Sequence, residues 1–390
     1  MEKRAVYLDY SASTPVDEQV FDAMLPYFSQ IYGNPSSMHQ FARQSERGVE
    51  QARETIAEIL NCKPSEIVFT SCGSESDNLA IRGAALAAQQ KGMRPHLVTS
   101  HIEHSAVSRT VQQAGDVLNC DIDFVPVTKE GMVTVEALKN TLRDHTTLVS
   151  LMYANNEIGT VLPIAELAEA AHERGALFHT DAVQAAGQLP IDVQQLKVDM
   201  MSISGHKFYA PKGVGALYIR EGVNVLPGQT GGSHEEGRRA GTLNVPLIVG
   251  MAKALELVYA ERDSYVAYFK HLRNRLMDGV LAAVSDAELT GSREHRLPGH
   301  ASFVFKHVDG NQLLMFLDNR GIAASAGSAC KTGNPKPSAL LMELGYDESW
   351  TLGGLRLTVG RQTSEADINY VLDILPGEVE KVRMFKGVSA

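Results

Sequence analysis

Over residues 66–219 the chain alternates short β-rich runs with helical patterns. This alternation is typical of a parallel sheet covered by helices, because parallel strands must be joined by long crossover connections. Seven runs are predicted as strands, at 66–70, 96–100, 121–127, 147–152, 176–180, 200–204 and 216–219. The sequence therefore predicts an α/β fold, with a mostly parallel, doubly wound sheet of seven strands.

Apolar residues at spacings of three and four predict the helices between these strands. These helices are placed at 45–60, 76–90, 135–142 and 164–174. After about residue 244 the pattern changes to a long helical stretch up to 284, a strand at 301–305, and helices from 310 and from 364. We interpret this part as a smaller α+β domain. The predicted large domain covers 16–258, and the predicted small domain combines 1–15 with 259–390.

Composition excludes several classes of protein. A net charge of -10 without a basic stripe argues against a nucleic-acid groove. No apolar run reaches the roughly 18 residues of a membrane span, and the N-terminus has no signal-peptide pattern. The cysteines lie far apart without CxxC or zinc-finger spacing, so neither a disulfide framework nor a metal site is indicated. We therefore expect a cytoplasmic protein.

The residues after each predicted strand are informative, because ligands of such sheets bind beyond the carboxyl ends of the strands. After Thr70, the turn at Gly73 and Ser74 opens a helix, whose free N–H groups suit a phosphate. The same residues could equally form a plain helix cap. Seven further polar residues follow other strands: His104, Asn156, Asp181, Gln184, Ser204, His206 and Lys207. Polar groups crowded at one sheet edge need a common polar ligand.

Lys207 follows a small-residue turn and precedes a glycine-rich loop, where its amine can be desolvated as Schiff-base chemistry requires. Taken alone, such a lysine could also be a solvated surface charge. Pyridoxal phosphate needs a lysine for its aldehyde, a phosphate cup at a helix N-terminus and a carboxylate at its ring nitrogen. Asp181 is the candidate carboxylate. Gln184, placed one helical turn on, could donate to the ring hydroxyl, and His104 could stack on the ring.

Nine motifs spread over almost the whole chain resemble those of the pyridoxal-phosphate-dependent cysteine desulfurases of the NifS/IscS type. This family belongs to the class V aminotransferase group of fold-type I enzymes. The motifs are YLDYSA at 7–12, GNPSS at 33–37, EIVFTS at 66–71, ESDN at 75–78, NNEIG at 155–159, SGHK at 204–207, RAGT at 239–242, GSAC at 327–330 and LRLTVGR at 355–361.

The resemblance implies a role for each residue around the cofactor ring. Lys207 would hold the cofactor covalently, and Asp181 would pair with the ring nitrogen. Gln184 and Asn156 would contact the ring hydroxyl and the substrate side, while His104 would stack on the ring and act as an acid–base group.

The resemblance also implies the remaining contacts. The cofactor phosphate would lie against Gly73, Ser74, Ser204 and His206, with Thr242 reaching in from the neighbouring subunit of a homodimer. Asn34 and Arg356 would hold the substrate carboxylate, for which a guanidinium is suited. Cys330 would be the nucleophile that takes sulfur. No metal ligand is implied.

The implied activity is conversion of L-cysteine to L-alanine, with sulfur passed as a persulfide on Cys330 to an acceptor protein. That acceptor could be an iron–sulfur scaffold or another sulfur carrier.

The sequence departs from the family pattern in two motifs. The phosphate turn is Gly73-Ser74 instead of the family's usual Ala-Thr. Lys331 and Lys336 follow Cys330, where the housekeeping enzymes are rich in Thr and Ser. We also expect the chain to lack their longer C-terminal tail. The alternatives are another fold-type I reaction (selenocysteine lysis, β-elimination or transamination) and a non-catalytic scaffold.

Overall fold

The structure is a computed structural model that describes residues 5–327 and 337–385. The described residues form twelve strands, numbered in chain order: β1 (Val6–Tyr7), β2 (Ile67–Thr70), β3 (His96–Ser100), β4 (Asp121–Val125), β5 (Thr146–Met152), β6 (Leu177–Asp181), β7 (Met200–Ser204), β8 (Gly215–Ile219), β9 (Ala287–Leu289), β10 (His300–Phe305), β11 (Ile322–Ala323) and β12 (Gly354–Thr358). The predicted nucleophile Cys330 lies outside the described residues.

The helices of the described residues surround these strands. They are α1 (Glu18–Met24), α2 (Pro26–Ser29), α3 (Gln40–Leu60), α4 (Gly73–Gln90), α5 (Ser105–Leu118), α6 (Val135–Thr141), α7 (Ile164–His172), α8 (Val193–Leu196), α9 (Val245–Ala260), α10 (Arg262–Ala283), α11 (Gly310–Asn319), α12 (Ala339–Glu343) and α13 (Glu365–Phe385). Within the described parts of the chain, none of these helices is long and apolar enough to cross a bilayer.

The central sheet has seven strands in the order β2-β8-β7-β6-β5-β3-β4. β8 is antiparallel to both of its neighbours, and every other pair is parallel. The predicted α/β fold with a mostly parallel seven-stranded sheet is therefore confirmed. Because β2 and β7 each run antiparallel to β8, they share the direction of β3, β5 and β6. The carboxyl ends of all these strands meet at one edge.

Apolar clusters cover both faces of this sheet. Alternate residues point to opposite faces, so Ile67 and Phe69 of β2 join one cluster and Val68 joins the other. A separate core combines Val6 and Leu8 with apolar residues of α10, α13 and the three-stranded sheet β12-β10-β9. The N-terminal segment thus packs with the C-terminal part of the chain. The predicted domain bounds stay a prediction.

Several predicted element bounds are wrong. α3 begins at Gln40 rather than at 45, because a ring nitrogen of His39 accepts a hydrogen bond from the Ala42 amide and caps the helix. The helical stretch after 244 is two helices that meet at Glu261. β12 was not predicted at all; its residues are buried by pairing with β10, a contact between distant parts of the chain.

Candidate active site

A cavity of about 290 Å³ lies at the shared carboxyl edge of the sheet. It brings together ten of the residues singled out in the sequence: Gly73, Ser74, His104, Asn156, Asp181, Gln184, Ser204, His206, Lys207 and Arg356. Two others, Asn34 and Thr242, are exposed and do not line it. The expected role of Thr242 in a neighbouring subunit stays a prediction. Asn34 instead accepts a hydrogen bond from the Ser36 amide (3.0 Å) in its own exposed loop.

Lys207 lies in a single 3₁₀ turn that directly follows β7. Its Nζ donates to the carbonyl oxygens of Ser11 (2.6 Å) and Ala12 (2.9 Å). Burial, and then the positive charge of Arg356, lower the pKa of the Lys207 amine to about 8. The amine is therefore fixed in place, and a larger fraction of it is in the neutral, nucleophilic form at neutral pH than for an ordinary lysine.

Asp181 ends β6 and presents its carboxyl group to the same cavity. Its Oδ1 accepts a hydrogen bond from the Val183 amide (2.9 Å). Burial raises its pKa, while this hydrogen bond and the charges of His104 and Lys207 act in the opposite direction. A cationic ring nitrogen placed here would favour the charged carboxylate.

Two further acids at this edge were missed in the sequence analysis. Asp77 is 1% exposed, and its Oδ1 has no hydrogen-bond partner among the described residues. A carboxyl oxygen of Asp77 lies within 4.8 Å of a carboxyl oxygen of Asp181 and of a ring nitrogen of His104. Glu103 accepts from the Ser100 hydroxyl (2.7 Å) and from the Met152 amide (3.1 Å). The available signals were the place of Asp77 in the ESDN motif and the position of Glu103 next to His104.

Burial disfavours the charged form of both acids. Burial, and then the charge of Asp181, raise the pKa of Asp77 well above its usual range. Burial raises the pKa of Glu103 to about 8. The nearby ring of His179 supplies no positive charge, because burial lowers its pKa to about 3 and its nitrogens are bonded to the hydroxyls of Ser150 and Ser202. Asp181 therefore remains the acid of this group that can carry the charge.

The N-terminus of α4 faces the cavity at Gly73 and Ser74. The preceding residue, Cys72, gives no side-chain cap, so the first N–H groups of this 18-residue helix are open to an anion. A Cβ on Gly73 would lie 2.6 Å from Val183 Cγ2, so a larger residue here would require the Val183 side chain to move. Burial, and then Lys207, lower the pKa of His206 to about 4, so this ring offers a neutral donor.

The remaining ring contacts differ in detail from the prediction. Gln184 lies in a turn after β6 and not in a helix, and its Nε2 donates to the Ser11 carbonyl (2.9 Å). His104 caps α5 by accepting from the Ala106 amide through Nδ1 (3.1 Å). A ring nitrogen that accepts carries no proton, so the His104 proton lies on Nε2.

Arg356 reaches the cavity from β12 and is held from two sides. Its Nη2 donates to Asp9 Oδ1 (2.6 Å) and its Nη1 to the Asn156 carbonyl (2.8 Å). That carbonyl is also 3.2 Å from His300 Nε2. The guanidinium is thus fixed by the N-terminal segment and by the loop after β5. The sequence analysis missed Asp9, although it lies in the YLDYSA motif.

The cavity fits pyridoxal phosphate on three independent features. An open helix N-terminus suits the phosphate, a buried carboxyl suits the ring nitrogen, and a desolvated amine suits the aldehyde.

Comparison with known proteins identifies relatives over nearly the whole chain. The aminotransferase class-V family profile matches residues 6–371. A cysteine desulfurase IscS from Dictyoglomus turgidum is 45% identical over 381 residues, which are 98% of this chain and 96% of the relative.

Two solved structures share the fold. A structure titled NifS-like protein has a TM-score of 0.89 at 33% identity and covers 98% of this chain and 100% of its own. A structure titled SspA in complex with cysteine has a TM-score of 0.79 at 34% identity, covering 91% and 99%.

The lowered pKa of Lys207 predicts how covalent attachment of pyridoxal phosphate to the cofactor-free protein depends on pH. Only the neutral amine attacks an aldehyde, so the rate should rise about tenfold per pH unit below pH 8 and level off above it. Absorbance of the attached cofactor measures this rate. Butylamine with the same cofactor corrects for the cofactor's own ionisation, and a rate still rising through pH 10 would contradict the shifted pKa.

The raised pKa of Asp77 predicts a contrast between two similar substitutions. Asp77→Asn replaces one neutral group by another, so cofactor affinity should stay within about threefold of the parent. Asp181→Asn removes a charged partner of the ring nitrogen and should weaken affinity by about tenfold to a hundredfold. Fluorescence titration of the cofactor-free variants measures both constants. Equal losses in the two variants would show that Asp77 also carries a charge.

Proposed function

The chain belongs to the aminotransferase class-V family, and on this premise we propose that it is a cysteine desulfurase. It converts L-cysteine to L-alanine with pyridoxal phosphate as its cofactor, and it transfers the sulfur to an acceptor protein. The observation that carries this proposal is the meeting of the Lys207 amine, the Asp181 carboxyl and the open N-terminus of α4 in one cavity. The 45% identity to a cysteine desulfurase over nearly the full chain supports the choice of reaction.

In this proposal, each part of the cofactor is held by a separate element. Asp181 holds the ring nitrogen, while the amides of Gly73 and Ser74 and the side chains of Ser204 and His206 hold the phosphate. Bound in this way, pyridoxal phosphate withdraws electrons from the substrate carbon atoms next to its attachment point. The protonated acids behind Asp181 keep a second negative charge away from the ring.

Lys207 and His104 provide proton transfer. The Lys207 amine, when it is not attached to the cofactor, would remove the proton from the substrate α-carbon. Its lowered pKa suits this role, because a base works best when its pKa lies near the working pH. His104 offers the Nε2 proton on the cavity side, since its Nδ1 is occupied by the Ala106 amide.

Arg356 holds the substrate carboxylate. Asp9 and the Asn156 carbonyl fix its guanidinium before substrate arrives, so little side-chain freedom is lost on binding. Asn34 was expected to share this task, but within its own chain it lies away from the cavity. We therefore assign the carboxylate to Arg356 as the principal contact.

Cys330 receives the sulfur. Its thiolate attacks the sulfur of the substrate, so a sulfur–sulfur bond forms as the substrate carbon–sulfur bond breaks. The electron pair of the broken bond stays on the substrate carbon, which a proton then converts to the methyl group of alanine. The persulfide on Cys330 passes its outer sulfur to the acceptor protein.

We propose a homodimer in which Thr242 of one subunit contacts the cofactor phosphate of the other. Apolar side chains near the N-terminus support such an interface, because they are unusually exposed in the isolated chain. They are Phe21 (53%), Leu25 (46%), Phe28 (58%), Tyr32 (67%) and Phe41 (61%).

Cys330→Ser tests the reaction directly. The variant should bind pyridoxal phosphate with the parent spectrum and respond to L-cysteine, because the cofactor contacts are unchanged. It should form no alanine above background, since a hydroxyl does not attack sulfur as a thiolate does. Alanine is measured by amino-acid analysis. Cys62→Ser is the matched control, because it alters a thiol outside the cavity.

Two results would contradict the proposed reaction. One is desulfuration by Cys330→Ser at the parent rate. The other is a parent enzyme on which no labelled sulfur can be trapped at Cys330 during turnover with labelled cysteine.

Mixed dimers test the shared site. A Lys207→Ala chain and a Thr242→Val chain should each be weak or inactive as homodimers. Together they should regain about half of the parent activity per dimer, because one site combines an intact Lys207 with the partner's intact Thr242. Desulfuration by purified heterodimers measures the recovery. Activity no higher than that of the two homodimers would show that the sites are not shared.

A further inference from the structure

The segment 231–242, here named the bracket segment, has an unusual backbone. Two consecutive residues with side chains, Glu235 (φ 49°) and Glu236 (φ 55°), adopt left-handed conformations. Such conformations are disfavoured for residues that carry a Cβ, and they persist when other contacts hold them. The contacts that hold this segment to its own subunit are therefore informative.

The first anchor is the buried carboxylate of Glu235. It accepts hydrogen bonds from Arg53 Nη1 (3.0 Å) and Nη2 (2.8 Å) and from the amide of Phe69 (2.7 Å). Phe69 belongs to β2, the edge strand of the central sheet. Arg53 Nη1 also donates to the carbonyl of Ile67 in the same strand (2.6 Å). The two side chains thus bind the open edge of β2 and fix the start of the bracket segment there.

The second anchor joins the bracket segment to the turn at 71–74, which leads into α4 and is here named the cofactor cup. Arg239 donates to Glu75 through Nε (2.8 Å) and Nη2 (3.4 Å). Glu75 lies in the first turn of α4, and its Oε2 also accepts from the amide of Ser71 (2.6 Å). Ser71 begins the turn that leads to Gly73. The Glu75 carboxylate therefore binds both the cofactor cup and the bracket segment of its own subunit.

This second anchor controls where Thr242 is presented. Thr242 follows Arg239 by three residues, which span at most about 10 Å of extended chain. The Thr242 side chain is exposed and lies outside the cavity of its own subunit. Fixing Arg239 therefore limits the positions that Thr242 can reach.

We infer that Arg239 and Glu75 are positioning residues that tie the cofactor cup of one subunit to the bracket segment completing the cup of the other. This inference rests on the shared-site dimer proposed above. It goes beyond that proposal by assigning to Arg239 an effect on the partner's cofactor and not on its own. The effect is exerted through the placement of Thr242.

Heterodimers with a single Lys207 separate the two directions. In the first arrangement, Lys207→Ala and Arg239→Gln are on the same chain and the partner is unaltered. The one Lys207 then receives its bracket segment from the altered chain. In the second arrangement, Arg239→Gln is on the chain that keeps Lys207, and its partner carries Lys207→Ala and an intact bracket segment. The dissociation constant of pyridoxal phosphate at the Lys207 site is measured by absorbance titration.

The first arrangement should weaken cofactor affinity about tenfold, the order of one displaced hydrogen bond to a charged group. The second should stay within about twofold of a heterodimer without Arg239→Gln. Equal losses in the two arrangements, or no loss in either, would overturn the inference. Arg82→Gln is the matched control. It removes a guanidinium from α4, the helix that carries Glu75, and Arg82 contacts Gln113 rather than the bracket segment. It should leave affinity unchanged in both arrangements.

Two further variants keep the result interpretable. Glu75→Gln retains an oxygen for the Ser71 amide but loses the charge that Arg239 needs, so it should reproduce the loss in the first arrangement even if Arg239→Gln folds poorly. Thr242→Val in the first arrangement tests the dimer itself. If Thr242→Val weakens affinity there and Arg239→Gln and Glu75→Gln do not, the inference fails alone. If none of them does, the shared-site dimer fails as well.

Discussion

The cost of removing charged groups from water governs this protein at one edge of its central sheet. An amine, a guanidinium and three carboxyl groups lie close together there. Burial lowers the pKa of Lys207 and raises those of Asp77 and Glu103, so it opposes the charged form of the amine and of these two acids. A buried charge is stable only when it is paired. The site is therefore suited to a ligand that brings a phosphate, a cationic ring nitrogen and an aldehyde.

The fold supplies the enclosure by joining distant parts of the chain. Parallel strands bring Asp181 and Lys207 to one edge, because Asp181 ends β6 opposite Ser202 of β7 and Lys207 follows the end of β7. The C-terminal sheet adds Arg356, whose guanidinium is held by Asp9 from the N-terminal segment. The arginine thus has a fixed orientation before any substrate arrives. Such preorganisation lowers the entropy that binding would otherwise cost.

Side chains also bind the outer edge of the central sheet. An edge strand exposes unpaired amides and carbonyls. In β2, Arg53 binds the Ile67 carbonyl and Glu235 binds the Phe69 amide. Protection of the edge and placement of the bracket segment are thus one set of contacts. Glu75 binds both Arg239 of the bracket segment and the Ser71 amide. The contacts of the bracket segment therefore extend to the cofactor cup.

The sequence by itself determined the seven-stranded sheet and most of the cavity, because strand periodicity and the residues after each strand are local features. Its motifs also singled out Lys207 and Asp181. Only the tertiary structure revealed that Asp77 and Glu103 share the interior with Asp181 and that Asp9 holds Arg356. It also removed Asn34 from the cavity and Gln184 from a helix. The reason is physical: periodicity reports which face of an element is buried, whereas protonation and pairing depend on which distant groups share that buried space.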